Sequence, residues 1–142
     1  MIHDILIPIN AAALIYGGVA DFRRREIPNA VPVLLLVSGI LGFSGLWRIL
    51  GLTVPAVLLL AAAKLTKSEV PGGDFKLLCA LGFSCGLQEL AAILFLTGIG
   101  AAVYGLLRRL PVNRHIPLCS YIAPAYIAVQ SITFVIEKTL LL

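Results

Sequence analysis

The chain predicts an all-α helical bundle embedded in a membrane, and three observations carry that reading. Of 142 residues, 60% are hydrophobic and 13% charged, against about 45–50% and about 25% in soluble domains. Mean hydropathy is +1.02, and a water-soluble fold has no place for so much apolar surface. The apolar residues come in continuous runs rather than alternating, which favours helices over the strands of a membrane barrel. At this length the runs make a single membrane-embedded domain, residues 1–142.

The runs are Ile5–Ala20, Ala30–Trp47, Leu52–Ala63, Phe75–Leu87, Leu90–Leu107 and Ile116–Ile136. A span needs about 20 residues, with about 17 as the lower limit, so the third and fourth are short. They cross by extending with Lys64 and Lys76 snorkelling, by partial re-entry, or where the bilayer thins. About six transmembrane helices are expected, with four full spans plus a short hairpin as the other count. Asn29 can cap the second helix, with Pro32 in its first turn; Thr53 can cap the third, with Pro55 likewise early. Gly39, Gly42 and Gly45, and the pair Ala101 and Gly105, would let helices approach closely.

Basic residues set the orientation. If the loops after runs one, three and five face the cytoplasm, they hold Arg23, Arg24, Arg25, Lys64, Lys67, Arg108, Arg109 and Arg114, with Lys76 at the edge. Only Arg48 and Lys138 fall on the opposite side. That bias places both termini outside. The positive charges follow the first run rather than precede it, the pattern of a reverse anchor and not of a cleavable signal. The net charge of +4 is therefore topology information and not a nucleic-acid footprint. Cys79, Cys85 and Cys119 form no C-x-x-C pair and read as small apolar fillers. His3 and His115 lie at opposite ends of the chain, so no metal site is expected.

Two of the seven acidic residues stand out. Asp21 and Asp74 each sit where an apolar run meets a basic loop, in Asp21-Phe22-Arg23-Arg24-Arg25-Glu26-Ile27-Pro28-Asn29 and in Pro71-Gly72-Gly73-Asp74-Phe75-Lys76-Leu77. Carboxylates at membrane depth are costly and mark function by default. The orientation brings both to the cytoplasmic face, although it was read from lysine and arginine alone. Ala13, Gly17 and Asp21 are spaced by four and share one helix face, a small-residue face suited to meeting another helix. Asp74, Gly82 and Gly86 lie roughly on one stripe, and a close crossing of helices one and four would bring the carboxyls together. The dipole of its own helix disfavours an anion at Asp21 and favours one at Asp74. Proximity then favours a pair sharing one proton, able to work on a common water. Plainer readings stand beside these. Asp74 after two glycines also reads as a helix N-cap, and Asp21 as an interfacial residue paired with Arg24 or Arg25. A proton relay would need acids continuing across the bilayer, whereas both lie at one edge.

Asp21 with Arg25, Ile27, Pro28 and Asn29 resembles the first aspartate motif of the type IV prepilin peptidases. Gly73-Asp74 with Lys76-Leu77 resembles their second, the G-x-G-D of membrane-embedded aspartyl proteases. Ile116-Pro117, Tyr121, Ala123 and Pro124 are similar to a segment that begins the family's last helix. The resemblance implies a multi-pass peptidase of the bacterial cytoplasmic membrane that removes the leader of prepilin or pseudopilin precursors at the cytoplasmic face. It implies catalysis by Asp21 and Asp74, site support or substrate approach by Gly72, Gly73, Lys76, Arg25, Pro28 and Asn29, and no cofactor. Larger members carry an N-terminal methyltransferase part with paired zinc-binding cysteines. This chain resembles the short forms that serve tight-adherence (Flp-type) pili, which implies peptidase without methylation. The family pattern has glycine where this chain has Pro71. That departure supports an alternative, a noncatalytic prepilin-binding subunit retaining the peptidase fold.

Overall fold

The computed structural model describes residues 2–43, 45–67, 69, 72–109 and 118–142. Among these the elements are α1 (Ile2–Arg24), α2 (Ala30–Leu41), α3 (Leu46–Thr66), α4 (Gly72–Cys85), α5 (Leu87–Arg108) and α6 (Leu118–Leu140). The all-α bundle read from composition is the architecture observed. α1, α3, α5 and α6 contain stretches long and apolar enough to cross a membrane. α2 has 12 residues and α4 has 14. At 1.5 Å per residue they rise about 18 and about 21 Å, short of a hydrocarbon core of about 30 Å.

The fourth run is short as expected, but the second and third exchange lengths. The second breaks after Leu41. The Gly42 N–H donates to Ser38 O, and Gly45, at φ +116°, leads into α3. Gly42 ends one helix at an ordinary φ of −96°, whereas Gly45 starts the next at positive φ, a use of backbone freedom that residue identity does not distinguish from helix packing. α3 therefore runs the full Leu46–Thr66. Thr53 lies within it, its hydroxyl donating to Ile49 O at 3.1 Å, and Pro55 is interior rather than in the first turn. Pro32 does fall in the first turn of α2; Asn29 occupies its N-cap position without a side-chain capping bond.

α4 is central, packing on α2, α3 and α5, while α1 packs on α6 and α2. Leu77 through Gly82 are buried without a break, as suits a helix apolar on every side. Gly82 crosses Gly51 of α3 so closely that a Cβ on either would overlap the other's carbonyl. The outer faces of α3 and α5 expose Leu46, Trp47, Leu65, Phe95, Leu106 and Leu107, surface that only lipid accommodates.

α1, α3 and α5 end on one face of the bundle, where α2, α4 and α6 begin. Arg25, Lys67 and Arg109 follow the three ending helices with φ of 54°, 51° and 47°. Positive φ is uncommon outside glycine, yet here each position carries a cation at the negative end of a helix dipole.

Gly82→Val should lower unfolding stability in detergent by about 3 kcal/mol or more, because the crossing backbone has no room to move aside. Gly98→Ala, where an added Cβ meets nothing within 4 Å, should leave the thermal midpoint unchanged or slightly raised.

Candidate active site

The buried residues of α1 include Asn10, Ala13, Leu14, Gly17, Gly18 and Asp21, steps of three and four that define one face. The shared inward face of Ala13, Gly17 and Asp21 is therefore as expected. Its partner is not α4. α1 lies against α6 and α2, and its glycines explain the choice. A Cβ on Gly17 would sit 3.2 Å from Cys119 Sγ, and one on Gly18 would sit 3.3 Å from the Cys119 carbonyl oxygen. Ser120 Oγ donates to Gly18 O at 2.8 Å.

This approach fixes Asp21. Its side chain is 8% exposed, and Oδ2 accepts the Cys119 N–H at 3.2 Å. Cys119 is the second residue of α6, so its amide is among the first four of that helix, which have no intrahelical acceptor. Asp21 supplies the acceptor from another helix. A hydrogen bond to an ionised group is worth about 1.5–3 kcal/mol. The field at Asp21 is therefore set by two helices. The negative end of α1 is opposed by the positive end of α6, which the reading from α1 alone did not include. The alternative pairing with Arg24 or Arg25 is not formed among the described residues; both side chains are exposed.

Asp74 is the third residue of α4, half-buried within the first turn rather than at the cap. A Cβ on Gly73 would lie 3.6 Å from Ile27 Cβ, whereas one on Gly72 would meet nothing within 4 Å among the described residues. The start of α4 thus leans on the connection that follows α1. Both carboxylates are within electrostatic reach of the Cys119 thiol. A hydrogen bond deeper in the bundle fixes their level. Asn10 Nδ2 donates to Ser84 Oγ at 2.8 Å, joining α1 to α4. Eleven residues separate Asn10 from Asp21, and ten separate Ser84 from Asp74. At 1.5 Å per residue these are about 16 and about 15 Å. Because the helices run in opposite directions, counting from this bond puts Asp21 and Asp74 at matching levels along α1 and α4, to about one residue's rise.

The other residues singled out in the sequence scatter around this pair. Arg25 and Asn29 are exposed and Pro28 is half-buried, its carbonyl accepting the Val31 N–H at 3.1 Å. Lys76 is exposed, about 200° around the helix from Asp74. Tyr121 packs its ring 5.8 Å from Tyr104, and Ala123 is buried. Pro71, Arg114, His115, Ile116 and Pro117 lie outside the described residues. Sequence reasoning missed the Cys119 amide, because a backbone donor leaves no side-chain signal. It also passed over Asn10, whose signal was available: a polar residue on the buried stripe of an apolar helix.

The fold and site define a helical membrane protein with two carboxyls level with each other at one face of the bundle. Residues 9–106 match the type IV leader peptidase family, and the chain belongs to that family. Over 98 residues it is 31% identical to the prepilin leader peptidase/N-methyltransferase of Bacillus subtilis (strain 168), covering 65% of this chain and 40% of that protein. The chain thus spans less than half the length of this relative. No solved structure matches. Asp21 and Asp74 both fall in the matched region, whereas Cys119 lies beyond it.

With Cys79 and Cys85 replaced by alanine, the fully buried Cys119 should label slowly with maleimide. Gly18→Leu, which drives a side chain into the backbone of Cys119 and Ser120, should raise the labelling rate about tenfold by opening the junction.

Proposed function

We propose that the chain is an aspartyl endopeptidase that removes the leader from prepilin-like precursors at the cytoplasmic face of a bacterial inner membrane. The observation that carries this is the level placement of Asp21 and Asp74 at one end of the bundle, both inside the family match. The excess of lysine and arginine around that end supports its cytoplasmic placement.

Two carboxyls and a water suffice for the chemistry. With one proton shared between them, the ionised carboxylate takes a proton from water as its oxygen attacks the scissile carbonyl carbon. The protonated carboxyl gives its proton to the carbonyl oxygen. Collapse of the tetrahedral diol breaks the C–N bond: one diol hydroxyl gives its proton to the ionised carboxylate, the departing nitrogen takes the proton of the protonated partner, and the pair again holds one proton. The roles belong to the dyad rather than to either residue. The Cys119 amide holds Asp21 in one orientation, and the exposed start of α4 at Gly72 leaves room for an extended peptide beside Asp74. The proposal is confined to hydrolysis. The three cysteines of these 142 residues are spread over α4 and α6 rather than paired, and methyl transfer should be undetectable when assayed alongside cleavage.

Purified protein in liposomes should cleave a synthetic prepilin, with the new N-terminus read by mass spectrometry. Asp21→Asn and Asp74→Asn should each lower kcat by about a thousandfold or more while leaving helicity unchanged. Parental rates in both variants would refute the enzymatic reading. Prepilin capture without cleavage by the parent protein would support the noncatalytic subunit instead. Excess EDTA should leave the rate unchanged.

The rate should also fall on both sides of a pH optimum. At low pH both carboxyls are protonated and no base remains; at high pH both are ionised and no acid remains. A single-variant enzyme with residual activity should lose one limb of that profile.

A further inference from the structure

The two short helices end within the depth that α1 spans, and a second polar cluster gathers at those ends. Helix carbonyls that stop at such a depth need partners that lipid cannot supply. Arg48, at the start of α3 and 5% exposed, provides one: its guanidinium donates to Gly39 O at 3.4 Å. The cation thereby sits at the negative end of the α2 dipole. Arg48 is thus part of the interior, not the loop charge its place in the sequence suggests. Between α5 and α6, Gln130 Nε2 donates to Glu89 Oε2 at 2.7 Å.

A chain of hydrogen bonds crosses three helices at this level. Asn10 Nδ2 of α1 donates to Ser84 Oγ of α4 at 2.8 Å. Ser84 and Ser38 of α2 share a hydroxyl bond at 3.0 Å. Ser38 Oγ donates onward to Leu35 O at 2.8 Å, so Ser84 is the donor of the shared bond and the chain has one direction. Asn10, only 4% exposed, also lines a cavity of about 10 Å³ together with Arg48, Glu89 and Tyr126, room for about one water. One cation and one carboxylate in the same wall favour neither a metal ion nor an anion there.

We propose that the Asn10–Ser84–Ser38 chain is a positioning device for the peptidase reaction: it fixes the register of α1 against α4 and α2 and so keeps Asp21 level with Asp74. It rests on the peptidase reading for its consequence but not for its geometry. The notches at Gly17–Gly18 and Gly51–Gly82 seat α1 on α6 and α4 on α3, whereas between α1 and α4 it is the Asn10–Ser84 bond that opposes axial slip. A slip of one residue moves a side chain about 1.5 Å and turns it about 100°, and misplacement of that size costs about a hundredfold in rate.

The test has two arms. In the first, Ile27→Cys and Gly73→Cys are combined in a background with Cys79, Cys85 and Cys119 replaced by alanine. The Cβ separation of 3.6 Å lies within disulfide range, so mild oxidation in membranes should join the pair, read as protection from a maleimide gel shift. Asn10→Leu and, separately, Ser84→Ala should slow the joining about three- to tenfold, and Asn10→Gln should restore it. In the second arm, with native residues at 27 and 73, Asn10→Leu should lower kcat on a synthetic prepilin about a hundredfold with KM nearly unchanged, and Asn10→Gln should recover most of it. Joining at the parental rate in both Asn10→Leu and Ser84→Ala overturns the register claim. Slower joining with an unchanged kcat overturns its role in the reaction. The first arm needs no cleavage, so a chain that processes no prepilin would refute the peptidase reading while the register claim is still decided.

Discussion

The meeting of the end of α1 with the start of α6 is the contact on which the rest depends. Lipid offers neither a donor to a carboxylate nor an acceptor to a free amide. Asp21 and the Cys119 N–H each satisfy the other, so two unfavourable groups are placed by a single contact. It forms only because Gly17 and Gly18 let the backbones approach, and Ser120 adds a second bond onto Gly18. The same contact joins the first described helix to the last. The junction thereby closes the succession of packed helices and also orients the proposed catalytic Asp21, so stability and the geometry of that side chain are coupled there.

A second constraint follows from the lengths of α2 and α4. Each begins at the face that carries the aspartates and ends before the bilayer does. For α4 the start at Gly72 places Asp74 in a first turn beside the α1–α2 connection. The early end of α2 leaves carbonyls at depth, where the Gly42 N–H donates to Ser38 O and the Arg48 guanidinium to Gly39 O. The polar interior thus lies where the two short helices end. The Gly51–Gly82 crossing holds that helix close to α3, and burial along Leu77–Gly82 gives it the apolar packing its length alone does not provide.

Composition made the helical class legible, and the placement of lysine and arginine made one common face for Asp21 and Asp74 legible. The periodicity of Ala13, Gly17 and Asp21 gave the inward face of α1. Its partner was not legible, because small residues say that a helix can approach closely but not which helix does. Gly42 and Gly45 show the same limit: a glycine that packs and a glycine that ends a helix look identical in sequence, and this one ambiguity misplaced the boundaries of α2 and α3. Arg48 followed from that error. Placed at the end of a long second helix it reads as a loop cation, whereas after a break at Gly42–Gly45 it enters the bundle. The Cys119 amide had no signal at all.

The electrostatics of the proposed dyad close the argument. Asp74 lies in the first turn of its own helix and Asp21 at the first turn of α6. Each helix start acts as roughly half a positive charge and the end of α1, which carries Asp21, as roughly half a negative one, so the three ends together supply about half a positive charge. A pair of carboxyls sharing a single proton carries one negative charge. The fixed backbone field therefore favours one negative charge on the pair over a neutral pair, and only partly offsets the repulsion between two carboxylates. The exposed arginines after α1 contribute little to this balance, because solvent and headgroups screen them. Replacing either helix start by a flexible loop would leave both aspartates in the sequence and remove the field that favours the reactive state. Two acids near a membrane face are common enough; two acids at one level, one in the first turn of α4 and one bonded to the first turn of α6, are what support hydrolysis as the proposed chemistry.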